Sequence, residues 1–435
     1  MKKQLLILSL LNTMLLADSN TSKYYEAKDW GVGIVIRHAS IPFSDPRPNM
    51  PKTATYENSV VPLFYFENDY IFLNGLEGGF KAYEDETYRL SLISRLRFEN
   101  TPKDVQNDHQ LDTYDFGLQA RYKFDENNFF DTEILSELHG NYHTNLMYRG
   151  DYDFNSWNIE PYAGLRIKSA KFNSFYYGLI EDLKWGIDYN TGLDIKYHVT
   201  SNFYLLAGVQ AKIFDNSVRD AILVDKPFEY NTYAGIAFMH DKTEKRSKAL
   251  RTTPYIRISH GYATHSDIDQ IFGGNLPKES YGNTLTSIFY GHPLSDTLFS
   301  LPIESYLSVG FAWHPKSEVQ DNIQEYVIAI KGYYTIPLPI RVRLGIAEGI
   351  SHVSEVTYIE KTDVNKDGFK ESKVLNFLDF SVDVNLGDLF FTDSMNKFWL
   401  GINVHHRSGI FSYSSQYGRV SGGSNYPSCH LQMHF

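Results

Sequence analysis

The chain has 435 residues, 42% hydrophobic and 21% charged, with a mean hydropathy of −0.35. That polarity excludes a bundle of membrane helices, which needs repeated apolar runs of about 20 residues. An excess of 52 acidic over 41 basic side chains excludes phosphate-rich nucleic acid as a partner, and the single cysteine, Cys429, excludes an internal disulfide.

At the N-terminus, Leu5 to Leu16 follow Lys2 and Lys3 and precede the small Ala17, the basic-apolar-small order of a secretory signal peptide. Residues 1–17 are therefore read as a removable leader; about 12 apolar residues are too few to cross a bilayer core of ~30 Å as a helix. Without Lys2 and Lys3 the balance is 39 basic against 52 acidic side chains, a formal charge of −13.

The exported chain then shows period-2 alternation again and again, the signature of strands with one apolar and one polar face. Tyr88, Leu90, Leu92, Leu96 and Phe98 alternate with Arg89, Ser91, Arg95 and Arg97. Tyr114, Phe116, Leu118, Ala120, Tyr122 and Phe124 alternate with Asp115, Gly117, Gln119, Arg121 and Lys123, a length that suits one tilted membrane crossing. The pattern returns in 193–199 and 203–213, and Tyr233 to Met239 reads as the last strand of a first region.

The charged run Asp241 to Lys248 follows, and a boundary is placed at 241–250. Beyond it come Leu307, Val309, Phe311 and Trp313; Ile340, Val342, Leu344 and Ile346 around Arg341 and Arg343; and Leu378, Phe380, Val382, Val384 and Leu386 around Asp379 and Asp383. The chain ends with Leu431, Met433 and Phe435 alternating with His430, Gln432 and His434, a terminal strand closing on an aromatic residue. Aromatics at 15%, mostly Tyr and Phe, suit the two interfacial girdles of a membrane barrel.

Only a closed barrel satisfies every strand-edge group in lipid. The expected fold is thus all-β, an antiparallel barrel in the outer membrane of a Gram-negative bacterium with lipopolysaccharide as its lipid partner. Residues 18–240 provide about 10–12 strands and residues 251–435 about eight, by a count of ~10 residues per strand plus turns. One fused barrel of about twenty strands is the alternative.

The first region resembles the MipA/OmpV family of outer-membrane proteins over roughly residues 25–240. The likeness is carried by Trp30-Gly-Val-Gly33, Val61-Pro-Leu-Phe-Tyr65, Tyr70 to Gly79, Phe175-Tyr-Tyr-Gly178 and Asp215-Asn-Ser-Val218. It implies a non-enzymatic scaffold that binds a lytic transglycosylase or other murein enzyme.

The second region resembles, more weakly, the PagL type of lipid A 3-O-deacylase, through Phe398-Trp-Leu-Gly-Ile-Asn-Val-His-His-Arg-Ser408. His406 and Ser408 occupy its His-x-Ser positions and continue the apolar parity of Phe398, Leu400, Ile402 and Val404, which puts a base and a nucleophile on the lipid-facing wall. The deacylase's acid follows shortly after that motif, whereas residues 409–435 contain no Asp or Glu. Glu348 has the outward parity of Leu344 and Ile346, and Glu355 lies just beyond; both are expected on segments separated from the His406 strand by another strand. Asp379 and Asp383 have inward parity and read as luminal ion pairs with Arg341 and Arg343.

Asp363-Val-Asn-Lys-Asp-Gly368 has the spacing of a calcium loop, but position twelve is Val374 and not the bidentate Glu, so the segment reads as a polar loop tip. The pairs His139/His143 and His260/His265 lack helical patterning and give no zinc site, and neither a phosphate loop nor a nucleophile elbow is present. No cofactor or metal is expected. Three functions follow: an envelope scaffold, a lipid A ester hydrolase built on Ser408 and His406, and a passive pore.

Overall fold

A computed structural model describes residues 29–44, 55–98, 100, 114–137, 140–243, 250–366, 371–409 and 422–435. The leader read at 1–17, His139 and most of the charged run lie outside these residues. The first region forms β1 (Asp29–Ser40), β2 (Tyr56–Glu67), β3 (Ile71–Gly75), β4 (Glu77–Glu84), β5 (Tyr88–Leu96), β6 (Tyr114–Lys123) and β7 (Asn128–Glu137). It continues with β8 (Tyr142–Gly150), β9 (Tyr152–Phe154), β10 (Trp157–Lys168), β11 (Gly186–Thr200), β12 (Phe203–Ile213) and β13 (Phe228–Met239). All pairings are antiparallel, and because β10 also pairs with β11 the ring closes; β9 merely continues β8 along β10, so the wall is twelve strands.

The second region is a closed barrel of eight: β14 (Tyr255–Tyr262), β15 (Thr284–Ser295), β16 (Ile303–His314), β17 (Ile323–Ile336), β18 (Val342–Val353), β19 (Val374–Asn385), β20 (Phe398–Ser408) and β21 (Gly423–His434). The chain is therefore two consecutive barrels and not one fused ring. Most connections on the side of the chain end are short, such as 68–70, 85–87 and 201–202, whereas the longest, 169–185, 263–283 and 354–373, lie on the opposite side. Short periplasmic turns and long external loops are the rule for such barrels, so the chain-end side faces the periplasm.

The alternation read in the sequence becomes the two faces of each wall. Leu90, Leu92, Phe116, Leu118, Leu344, Ile346, Leu400 and Ile402 are exposed outward, toward lipid, and Arg89, Gln119, Arg343, Asn403 and Arg407 are buried inward. The small barrel's lumen is filled from end to end. Tyr255, Tyr306 and Tyr333 pack edge-on with centroids 4.9–6.0 Å apart near the periplasmic end. Above them Arg343 holds Asp383 at 2.6 Å, Arg257 grips Asp379 at 2.9 and 3.0 Å beside Lys331, and Glu325 sits between His314 and His405 at 2.9 Å each.

Two details differ from the sequence reading. Asp379 pairs with Arg257 and Lys331, while Arg341 lies in the periplasmic turn before β18 and binds Asp388, because β18 begins one residue later. The polar loop tip read from Asp363 onward begins as helix: α2 (Tyr358–Lys366) follows α1 (Ile268–Phe272) in chain order and dips into the barrel mouth. There Arg407 donates to Glu360 at 2.6 Å.

The barrels touch along an apolar seam. Trp30, Phe64 and Phe66 of the first, with Ile71 and Leu73 against them, meet Leu294, Leu307 and Ile330 of the second. A hydrogen bond from the Phe299 backbone to Asn202 (3.0 Å) ties their periplasmic turns.

Candidate functional site

The large barrel is filled in its outer half only. Residues 170–178 fold into the outer mouth, where Phe172, Tyr176 and Tyr177 pack with Leu183, Phe214 and Val218 as a buried apolar cork. Ion pairs seat it: Lys168 reaches Asp188 (2.7 Å) and Asp215 (2.9 Å), and Arg97, bound to Asp115 at 2.9 Å, lies over the Phe172 and Tyr176 rings.

Below the cork a cavity of about 640 Å³ occupies the lumen and is lined toward the periplasm by Glu67, Asp151, Asp153, Asn158, His240 and Lys242. Its walls carry Tyr65, Tyr162, Tyr233, Asp194, Glu160 and Lys196. Space for the rings comes from glycine: a Cβ on Gly192 or Gly208 would stand 2.3 Å from Tyr162 or Tyr233, so both rings lie flat on the wall. Tyr233 donates to Asp194 at 2.9 Å, and Lys196 pairs with Glu160 at 2.5 Å.

The second candidate lies on the outside of the small barrel. His406 and Ser408 face outward from β20, as their parity requires, since the intervening Arg407 is fully buried in the lumen. His406 Nδ1 lies 2.7 Å from Asn425 Oδ1 on β21, its direct cross-strand partner. Asn425 thus fixes the imidazole ring, through a neutral amide and not a carboxylate. With Nδ1 committed to Asn425, the imidazole lone pair falls on Nε2. No hydrogen bond among the described residues joins His406 to Ser408.

The loop after β14 roofs this face. Thr264 bridges to Asn425, the Asn425 amide donates to the Ser266 carbonyl at 3.0 Å, and Phe272 at the end of α1 packs edge-on against Phe380 of β19 at 5.4 Å. The roof explains an abrupt change along β20: Ile402 is 63% exposed, whereas Val404, on the same face, is 7% exposed.

Of the other predicted residues, Glu348 faces outward on β18, separated from β20 by β19. Glu355 lies in the outer loop, paired with Lys361 at 3.3 Å, away from His406. Asp363 lies within α2 and takes a backbone donor from Gly423 at 3.0 Å, while 367–370 lie outside the described residues. His143 is luminal, His260 bonds Thr286 on the outer wall, and no cluster of three metal-binding side chains occurs among the described residues. In α2, burial pushes the Glu360 carboxyl up to about 7 against the opposing pull of Arg407.

Sequence reasoning missed Asn425, which carries a readable signal: it has the outward parity of Leu431 and Met433, an amide at a lipid-facing position.

Residues 31–240 match the family described as MltA-interacting protein MipA. No curated protein matches the chain. Among solved structures, a bacterial polysaccharide outer membrane secretin aligns at 7% identity over 93% of this chain and 98% of its own, with a TM-score of 0.21. OprB of Pseudomonas putida aligns at 8% over 93% and 94%, with a TM-score of 0.24. The outer membrane channel DcaP of Acinetobacter baumannii aligns at 9% over 97% and 100%, with a TM-score of 0.22.

Proposed function

We propose, from the match of residues 31–240 to the MipA family, that this outer-membrane protein is an envelope scaffold whose large barrel presents a docking cavity to the periplasm for a murein enzyme such as a lytic transglycosylase. The observation that carries the reading is the asymmetry of that barrel: corked outside by Phe172, Tyr176 and Tyr177, hollow toward the periplasm. A passive pore draws no support from a corked lumen beside a filled one. The test is binding of a purified lytic transglycosylase to the intact protein in detergent. Reversing charges at the rim, at Glu67, Asp153 and Lys242 together, is expected to weaken binding at least ~10-fold, by the loss of rim electrostatics. Unchanged binding would sink the cavity as the docking site.

A second reading is supported by the His406–Asn425 pair: a lipid ester hydrolase with Ser408 as nucleophile and His406 as general base. Mass spectrometry of lipid A from cells making the intact protein or Ser408→Ala decides it. Loss of one acyl chain with the intact protein alone supports the hydrolase; identical lipid A in both, with folded barrels, leaves the scaffold.

A further inference from the structure

Three arginines that line the large-barrel cavity are served by one carboxylate among the described residues. Arg89 is the second residue of β5, Arg121 the third from the end of β6 and Arg149 the last but one of β8. At ~3.3 Å per residue all three lie within about 10 Å of the periplasmic rim. Arg121 holds both oxygens of Asp131, at 2.7 and 2.9 Å, and Arg149 approaches the same group at 3.1 Å. Arg89, only 7% exposed, forms no ion pair among the described residues. Its one hydrogen bond there runs from Nη2 to Gln119 at 3.1 Å, and its Nε is buried without a partner. Neighbouring cations are better matched: Arg95 has Glu77 and Glu133, and Lys81 has Glu67 and Glu84. Arg89 also stands directly opposite Arg121 in the β5–β6 ladder, and opposed like charges destabilise a strand pair.

An anion between them removes that conflict. The Arg89 guanidinium lies over the Phe72 ring at 4.8 Å and that of Arg121 over the Phe129 ring at 3.7 Å. A guanidinium seated on a ring presents its edge, the part that takes a carboxylate. Beside the arginines the wall turns aromatic. Tyr162, opposite Arg149 in the β8–β10 ladder, and Tyr233 lie flat across Gly192 and Gly208, and a flat ring accepts the C–H face of a sugar ring. The carboxylates on that side already have donors, Glu160 from Lys196 and Asp194 from Tyr233. The volume of about 640 Å³ is that of a small-molecule site.

We propose that this cavity binds an acidic sugar entering from the periplasm, with its carboxylate on Arg89 and Arg121 and its ring on the tyrosine wall. The inference goes beyond the docking reading: it needs no protein partner and uses none of the rim charges Glu67, Asp153 and Lys242.

The test is equilibrium dialysis of the full chain in detergent, with folding checked by gel mobility before and after boiling. Three radiolabelled probes are compared: N-acetylmuramic acid, glucuronic acid and N-acetylglucosamine, the last being the first without its carboxylate-bearing lactyl group. An acid is expected to bind about 10- to 100-fold more tightly than the neutral sugar, the range for hydrogen bonds to a charged group. N-acetylmuramic acid alone identifies murein as the source, and glucuronic acid alone an exported polysaccharide. Arg89→Leu relieves the opposition to Arg121, so it retains the fold, and is expected to lose the preference for the acid. Arg89→Lys keeps the charge without the planar fork and retains part of it. Acidic and neutral sugars binding alike, or acid binding unchanged in Arg89→Leu, overturns the inference. Inorganic phosphate displacing the acid at equal concentration overturns it too, since the arginines are then a plain anion site. If no sugar binds the intact protein while Arg89→Leu weakens lytic transglycosylase binding, the arginines receive an acidic side chain of the docked enzyme; the sugar site falls and the docking reading stands.

Discussion

The two barrels are built from the same alternating strands, yet one is solid and the other half hollow. In the small barrel every level of the lumen is occupied, by three tyrosines and then by charges that each find a partner, from Arg343 and Asp383 up to Arg407 and Glu360. In the large barrel twelve strands enclose more width than side chains fill, so packing is completed only where residues 170–178 fold in. Strand number sets lumen width, and the difference teaches that a site in the large barrel lies inside the wall while one on the small barrel must lie outside it. The cavity and the His406 face follow that division.

Truncation of one buried charge in each lumen tests the contrast most strongly. Asp379→Ala strands Arg257 and Lys331 in a dry interior and is expected to destabilise the small barrel by about 3–5 kcal/mol. Glu160→Ala breaks a pair whose side chains are 22% and 23% exposed at the periplasmic cavity, and is expected to cost about 1 kcal/mol or less. Urea unfolding in lipid vesicles reads both. Equal costs would mean that the cavity is as dry as the filled lumen, and the distinction would fall.

A smaller effect sharpens the account of how the small barrel is closed. Glu360 of α2 is held up at about 7, chiefly by burial, against an ordinary carboxyl value of 4.5. The sign follows: between those values the folded protein binds more protons than the unfolded chain, so stability falls as pH rises through about 7 and is fully present below the unfolded value. The expected loss is about 3 kcal/mol across that window. Glu360→Gln should flatten it, as measured by unfolding midpoints at pH 5 and 8. An unchanged pH slope in the variant would place the titration elsewhere.

Much of this architecture is legible in the sequence because the faces of a barrel wall obey a period of two. Tyr114 to Lys123 and Phe398 to Ser408 can be assigned inward and outward residue by residue, and His406 with Ser408 falls outward on parity alone. What parity cannot give is which strands are neighbours in register. Asn425 became the partner of His406 only through the β20–β21 ladder, across a segment of chain that local patterning does not bridge. Asp379 was matched to the wrong cation for the same reason: Arg257 is 122 residues away and meets it across the lumen, not along a strand. The cork and the roof over His406 were invisible, since short helices such as Ile268–Phe272 have too few residues to show a period.

The seam between the barrels should respond least of all. Phe64 and Phe66 are buried against Leu307 and Ile330, and in a soluble protein their truncation to Ala would cost about 3–5 kcal/mol each. Here the competing environment is lipid, which is as apolar as the seam, so no hydrophobic driving force separates the docked from the undocked state. What remains is the difference in packing between side chains and acyl chains, together with the Phe299–Asn202 hydrogen bond, worth about 1 kcal/mol. Phe64→Ala and Phe66→Ala together are therefore expected to shift the unfolding free energy by about 1 kcal/mol or less. Phe377→Ala, inside the small barrel against Phe289 and Val327, should cost about 3–5 kcal/mol. A seam as costly as the interior would show that the barrels exclude lipid along their whole contact and unfold as one unit, whereas the expected small shift leaves two barrels that fold separately and are held together by their linker and periplasmic turns.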